Sequence, residues 1–276
     1  MPPSGRGRKT GRFKGRSGRR FKTLGPETGP CLEISLFSGY HPRMTVQDQS
    51  PCLTIPRWNQ LSFLVHGFGL AGFGLRGLKS LWPGFAAVMT KQTHSDRVVF
   101  LDGPPDKEVK GDGLATDRSG LLLIVRTADC LPILLADERR RVIAALHCGW
   151  RGTVQRLAEK AVALLHGRYG CEPGGLLAAF GPCIGRYCYE VGQDVRDRFA
   201  EEGLPIEVFD IHPHREGKYL LDLQAANRFQ LLRAGLDPGN MNFIGDCTHC
   251  EPRMSSYRRE RDKAGRMLAF VGIKPF

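Results

Sequence analysis

A chain of 276 residues with 40 Lys and Arg against 28 Asp and Glu carries +12, and 41% of it is apolar, enough for a sizeable core and too much for a disordered polymer. No apolar run approaches the roughly 20 residues that span a bilayer, and the N-terminus lacks the apolar centre of a secretory signal, so the chain is expected to be soluble and cytoplasmic. Nine cysteines, an odd number without such a signal, argue against a secreted disulfide framework and for thiols or metal ligands.

Residues 1–26 hold nine of the basic side chains and no acid, leaving 31 basic against 28 acidic groups, or +3, for the remaining 250 residues. With few large apolar side chains (Met1, Phe13, Phe21 and Leu24), residues 1–29 are expected to form a disordered basic tail, and residues 30–276 a single domain. The tail could neutralise phosphates, but no nucleic-acid reading module stands behind it, which argues against nucleic-acid binding as the function.

Apolar runs bounded by Gly, Asp or Pro predict buried strands at 61–65, 97–101, 121–125, 132–136 and 142–146. Helical spacing of Val154, Leu157, Ala158, Ala161, Val162 and Leu165 predicts a helix over 153–166. Two more are expected over 191–201 and 223–234, the latter closed by Gly235, before strands return at 241–245 and 267–273. Clustered strands with separated helices indicate an α/β or α+β layered domain.

Three polar residues stand at the edges of these strand patterns: His94 in KQTHSDRV, Cys130 in TADCLP and His147 in ALHCGWRG. Two imidazoles and one thiolate suit zinc, leaving a net +1 and an open coordination position. Their wide separation along the chain carries no ligand-spacing signature, and composition alone favours ordinary buried side chains. Read as a pair without metal, Cys130 and His147 could instead be nucleophile and base of a cysteine hydrolase.

The segments KQTHSDRV, DGLATDRSGLLLIVRTADCLPILLAD, ALHCGWRG, FGPCIGRYCYEVG, DCTHC and SYRRE, in this order, closely resemble the multi-copper polyphenol oxidase family, the laccase-domain or YfiH-like proteins, over roughly residues 60–276. The resemblance implies an α+β fold with mixed sheets and flanking helices, and one Zn(II) per chain held by His94, Cys130 and His147. It also implies a purine nucleoside phosphorylase, acting on adenosine, inosine, guanosine and methylthioadenosine with phosphate, with adenosine deaminase activity. Some members are linked to peptidoglycan-precursor editing, so a cysteine- or zinc-dependent amide hydrolase is the alternative. One Cys and two His cannot build the several centres of a multicopper oxidase. The chain departs from the family after its HGF segment, where HGFGLAGFGLRG lacks the usual Thr-Arg and only residues 69–90 precede KQTH.

Other residues are weighed against plainer roles. Arg151, four residues past His147 where a helix should begin, is a candidate phosphate ligand, its alternative being a partner to a buried acid. Arg258 in SYRRE has a weaker claim, with an exposed charge as its plainer reading. Asp129 could orient a ligand imidazole. Cys148 should face the core, opposite His147. Glu190 and Asp222 are expected as helix caps or N-terminal charges. The pairs Cys183/Cys188 and Cys247/Cys250 could bind structural zinc, but C-x4-C is loose for that purpose, and packed or partly reactive thiols are expected.

Overall fold

The computed structural model describes residues 50–275, so the basic tail expected over residues 1–29 lies outside the described residues. In chain order, β1 (Cys52–Leu53) leads through one helical turn, α1 (Pro56–Asn59), into β2 (Leu64–Gly69). The strand expected over 61–65 begins only at Leu64, because Leu61 N still bonds to Trp58 O and Leu64 N to Leu61 O in the turn leaving α1. Then follow α2 (Leu75–Leu81), β3 (Ala86–Met89), β4 (Val98–Phe100), β5 (Gly113–Thr116), β6 (Leu121–Thr127), β7 (Leu131–Asp137) and β8 (Val142–Cys148).

The expected helix over 153–166 is two helices, α3 (Trp150–Val154) and α4 (Leu157–Tyr169), separated by Arg156 in the left-handed region at φ 61°. The interruption is held from outside. Asn227 Nδ2 donates to Thr153 Oγ1 at 2.9 Å and Gln230 Nε2 to Thr153 O at 2.6 Å, satisfying the end of α3 with buried amides. The chain continues through β9 (Leu177–Phe180), β10 (Glu190–Gly192), α5 (Gln193–Glu201), β11 (Phe209–Ile211), β12 (Lys218–Leu221), α6 (Leu223–Arg233), β13 (Met241–Phe243), α7 (Tyr257–Glu260) and β14 (Met267–Ile273). Asp222 caps α6 as expected, accepting from Ala225 N at 2.8 Å, a contact worth about 1 kcal/mol. Glu190 caps nothing: it lies in β10 and pairs with Arg215 at 2.7 Å.

The strands form a five-stranded sheet ordered β1-β2-β14-β6-β3, a six-stranded sheet ordered β13-β9-β7-β8-β5-β4, and a small sheet β10-β12-β11. Both large sheets are mixed, with β3/β6, β4/β5 and β9/β13 parallel among antiparallel neighbours. They pack face to face. Leu123, Val125, Ala269 and Val271 meet Leu134, Ala136, Ile143 and Ala145 in one cluster, while the opposite face of β7 and β8 (Ile133, Leu135, Ala144, Leu146, Cys148) packs on Leu157, Ala161 and Leu165 of α4. Phe270, Leu122 and Ile124 cover the outer face with Leu78 of α2. Strands covered on both faces must be apolar throughout, which is why β7 and β8 read as continuous runs rather than alternating ones. The fold is the mixed-sheet α+β architecture anticipated from sequence.

Candidate metal centre and its surroundings

The ends of β6, β7 and β8 converge with the loop after β3, and the register dictates what meets there. Antiparallel pairing of β7 with β8 sets Leu131 opposite Cys148 and therefore Cys130 opposite Gly149. Pairing of β5 with β8 sets Gly113 opposite Leu146 and therefore Asp112 opposite His147. His94, Cys130 and His147 each offer one ligand atom, and these atoms lie within 4.8 Å of one another, a group that could bind a metal ion. The two imidazoles stand edge to face with centroids 5.1 Å apart. His147 lies within β8 rather than at its edge, Cys130 lies between β6 and β7, and His94 sits in an exposed loop at φ 58°.

One side chain outside the anticipated set organises this arrangement. The fully buried Asp112 carboxylate accepts His147 Nδ1 at 2.8 Å, Thr93 N and His94 N at 3.0 Å, and Ser95 N at 2.7 Å, with the Ser95 hydroxyl at 2.8 Å. It therefore fixes the loop carrying one histidine and the ring of the other. With Nδ1 bound to Asp112, His147 presents Nε2 toward Cys130 and His94, the arrangement by which an outer carboxylate orients a ligating imidazole. The desolvation of Asp112 is outweighed by these donors, which hold it well below the usual carboxylate range.

Electrostatically, burial pushes the Cys130 thiol up, but His147 and His94 pull it down overall, to about 6. Burial works against a charged His147, yet the Cys130 thiolate and Asp112 raise it to about 9. Sulfur carries the negative charge and the imidazole the proton. Gly149 eases the close approach: a Cβ there would stand 3.0 Å from Cys130 Sγ and 3.3 Å from His94 Cδ2, so both would have to give way slightly.

Asp129, which the sequence left open as an orienter of an imidazole, has other partners. Held at φ 85°, its carboxylate accepts Thr248 Oγ1 at 2.7 Å and Arg258 N at 2.6 Å, tying the C-terminal loop to the Cys130 turn. Arg258 is half-buried rather than an exposed charge: its guanidinium donates to Glu190 O at 2.8 Å and lies 5.6 Å from the centre of the Tyr189 ring. Tyr189 lies in the same field, its hydroxyl pushed up by burial and by the Cys130 thiolate. Arg151 belongs to α3, whose five residues are too few to serve as a helix-terminus anion site, so only its guanidinium can play that part. It stacks on Trp150 at 4.5 Å and lines a cavity of about 360 Å³ with Gln155, Asp194, Arg198 and Glu202. Among the described residues no carboxylate pairs with it. Gln155 connects this cavity to the centre, donating to His94 O at 3.0 Å. Cys148 faces the core as expected, wholly buried.

Asp112 and Tyr189 were not anticipated. A signal for the first was present, an acid between two glycines opening a strand, but its meaning depends on which strand lies beside it.

Mixed sheets that gather two imidazoles and one thiol define an α+β protein with a candidate soft-metal site. The family model for the multi-copper polyphenol oxidoreductase laccase matches residues 80–274, and the chain belongs to that family. A purine nucleoside phosphorylase of Deinococcus radiodurans is 41% identical over 193 residues, 69% of this chain and 72% of the relative. The adenosine deaminase RL5 of an unknown prokaryotic organism is 37% identical over 67% of this chain and 74% of its own length. Among solved structures, YlmD from Geobacillus stearothermophilus aligns with a TM-score of 0.74 at 30% identity, covering 83% of this chain and 98% of that one.

Proposed function

We propose that this chain is a zinc-dependent purine nucleoside phosphorylase acting on adenosine, inosine, guanosine and methylthioadenosine, with adenosine deaminase activity. The observation that carries the reading is the convergence of His94, Cys130 and His147, ligand atoms within 4.8 Å, around the buried Asp112 carboxylate. One soft sulfur and two imidazoles fit zinc and leave a coordination position open. A single such set does not fit several copper centres. Bound zinc would supply Lewis-acid polarisation and a water with its pKa lowered to about 7. The names of the relatives support the two reactions.

Each residue then has a part. Cys130 offsets one of the two charges of the cation, while Asp112 holds His147 in the tautomer that leaves Nε2 to the metal. Arg151 supplies a planar pair of donors for phosphate at the rim of the cavity. Arg258, anchored to Glu190 O and set against Tyr189, is the second contact for the nucleoside. The protein works as a soluble cytoplasmic enzyme; among the described residues no helix is long and apolar enough to cross a membrane.

The test is metal analysis of the purified chain together with inosine, adenosine and methylthioadenosine turnover, each with and without phosphate. Stoichiometric zinc, phosphate-dependent cleavage and phosphate-independent deamination are expected. A metal-free protein inactive on all three nucleosides would overturn the proposal. A second reading, an amide hydrolase with Cys130 as nucleophile and His147 as base, draws on the thiolate–imidazolium pairing. It requires Cys130 to react rapidly with iodoacetamide in the metal-loaded protein, whereas zinc coordination protects it.

A further inference from the structure

A second sulfur cluster lies outside the proposed nucleoside chemistry. Cys188, Cys247 and Cys250 bring their sulfurs within 4.8 Å of one another. Cys188 ends a short 3-10 turn (Arg186–Cys188), and Cys247 and Cys250 belong to the turn after β13. The two segments are joined by an isolated parallel backbone β-bridge at Cys183 and Cys247, with Thr248 N donating to Cys183 O at 3.0 Å. Cys183 itself is buried in the core and takes no part.

The sulfurs are not equivalent. Gly185 N donates to Cys247 Sγ at 3.1 Å, the nearby Cys188 thiol and the backbone N–H groups of Cys250 and His249 favour the charged sulfur in the same way, and Cys188 Sγ stands 3.4 Å from Cys250 Sγ. This donor and the polar groups around it stabilise the sulfur as a thiolate. The packing is close: a Cβ at Gly185 would stand 3.2 Å from Cys247 Sγ. The Cys188 thiol, followed by burial against backbone donors, sets the balance that holds Cys247 down at about 6, while the same hydrogen bond pushes Cys188 up. Cys247 carries the charge and Cys188 the proton. Both are thiols, and both are half-buried rather than sealed in the core.

We propose that Cys247 and Cys188 form a peroxide-oxidisable dithiol, with Cys247 as the reacting thiolate and Cys188 as the resolving thiol. In the first step the Cys247 sulfur attacks one peroxide oxygen: an S–O bond forms, the O–O bond breaks, and the second oxygen departs as hydroxide or alkoxide and takes a proton from water. Sulfur loses two electrons to the peroxide and becomes a sulfenic acid. Cys188 sulfur then attacks the Cys247 sulfur: the S–S bond forms, the S–O bond breaks, and the hydroxyl leaves as water with the Cys188 proton. Overall two thiols and one peroxide give a disulfide, an alcohol or water, and one further water. The bond joins the loop that carries Tyr189 to the 246–251 turn.

The experiment uses the full chain, reduced, desalted and exposed to a small excess of hydrogen peroxide, with peptide mapping under non-reducing conditions. A Cys188–Cys247 cross-linked peptide is expected, with dimedone labelling of Cys247 in Cys188→Ser and neither product in Cys247→Ser. A readout that needs no variant is iodoacetamide labelling of Cys247 in the unmodified chain across pH, expected to be half-maximal near 6. Labelling that rises only toward the ordinary thiol range, about 8.5, would overturn the proposal. So would a Cys188–Cys250 cross-link that leaves Cys247 untouched. Retention of a soft metal ion lost specifically in Cys247→Ser would make the cluster a metal centre instead.

Discussion

The two sulfur clusters use the same atom type and differ in what holds the charge on it. Around Cys130 the stabilising groups are side chains, His147 and His94, and behind them a buried carboxylate that accepts six hydrogen bonds. Around Cys247 they are the neighbouring Cys188 thiol and then backbone N–H groups of two loops. Imidazoles bring lone pairs that a cation can share, whereas amide N–H groups are donors only and repel it. The first environment therefore suits a metal and the second suits a bare thiolate, though both pull the thiol to about 6. A depressed thiol alone does not distinguish a ligand from a nucleophile; the neighbouring atoms do.

The sharpest way to break this contrast is to remove each sulfur. Cys130→Ala deletes the anion that offsets the cation, so the metal content should fall from about one zinc per chain to near zero, while Cys247→Ser should leave it unchanged. Mass-spectrometric metal analysis of both proteins checks this, and equal metal loss would erase the distinction.

The frame that carries both clusters has its own pH limit. His66 is buried, accepts Ile55 N at 2.8 Å through Nε2 and is held down by burial to about 4. Between the ordinary value of 6.5 and about 4, the unfolded chain takes up this proton and the folded one does not. Stability is therefore complete above pH 6.5 and should decline as pH falls toward 4, by about 3 kcal/mol. Urea unfolding at stepped pH measures it, and His66→Gln should flatten the slope. Labelling profiles of the two thiols are best confined to the side of this window where the chain stays folded.

Asp112→Asn keeps the shape but removes the charge behind the first cluster, and should weaken metal affinity by about 10- to 100-fold. Competition with a chromophoric chelator reads it; the labelling profile of Cys247 should not move. Arg151→Lys keeps the charge but loses the planar fork, so the apparent phosphate constant in inosine cleavage should rise by about ten- to a hundred-fold, with zinc content and adenosine deamination preserved. Equal losses in both reactions would assign Arg151 to the nucleoside. The smallest effects belong to the glycines. A methyl at Gly149 meets Cys130 Sγ and His94 Cδ2, and one at Gly185 meets Cys247. Gly149→Ala should weaken metal binding several-fold without altering peroxide cross-linking, and Gly185→Ala should do the reverse; loss of both properties in either variant would point to a common structural collapse.

Much of this was legible in the residues. The continuous apolar runs of β6, β7 and β8, the capped and glycine-closed α6, and the opposite faces taken by His147 and Cys148, both buried, follow from burial on both faces and from the alternation of a strand. The motifs around His94, Cys130 and His147 named the family before any coordinate did. What the sequence could not decide depends on partners distant in the chain. Helical spacing runs unbroken across Arg156, since it records faces and not the direction of an axis; the break is decided by Asn227 and Gln230, more than 70 residues on. Asp129 was one possible orienter of an imidazole from its place beside Cys130, but the β5/β8 register gives that role to Asp112 and leaves Asp129 to Thr248 and Arg258. The meeting of Cys188 with Cys247 and Cys250, rather than with its near neighbour Cys183, likewise required two loops to be docked. Local propensity and burial are written residue by residue, whereas hydrogen-bond partners across a sheet are set by register, and register exists only once the strands have met.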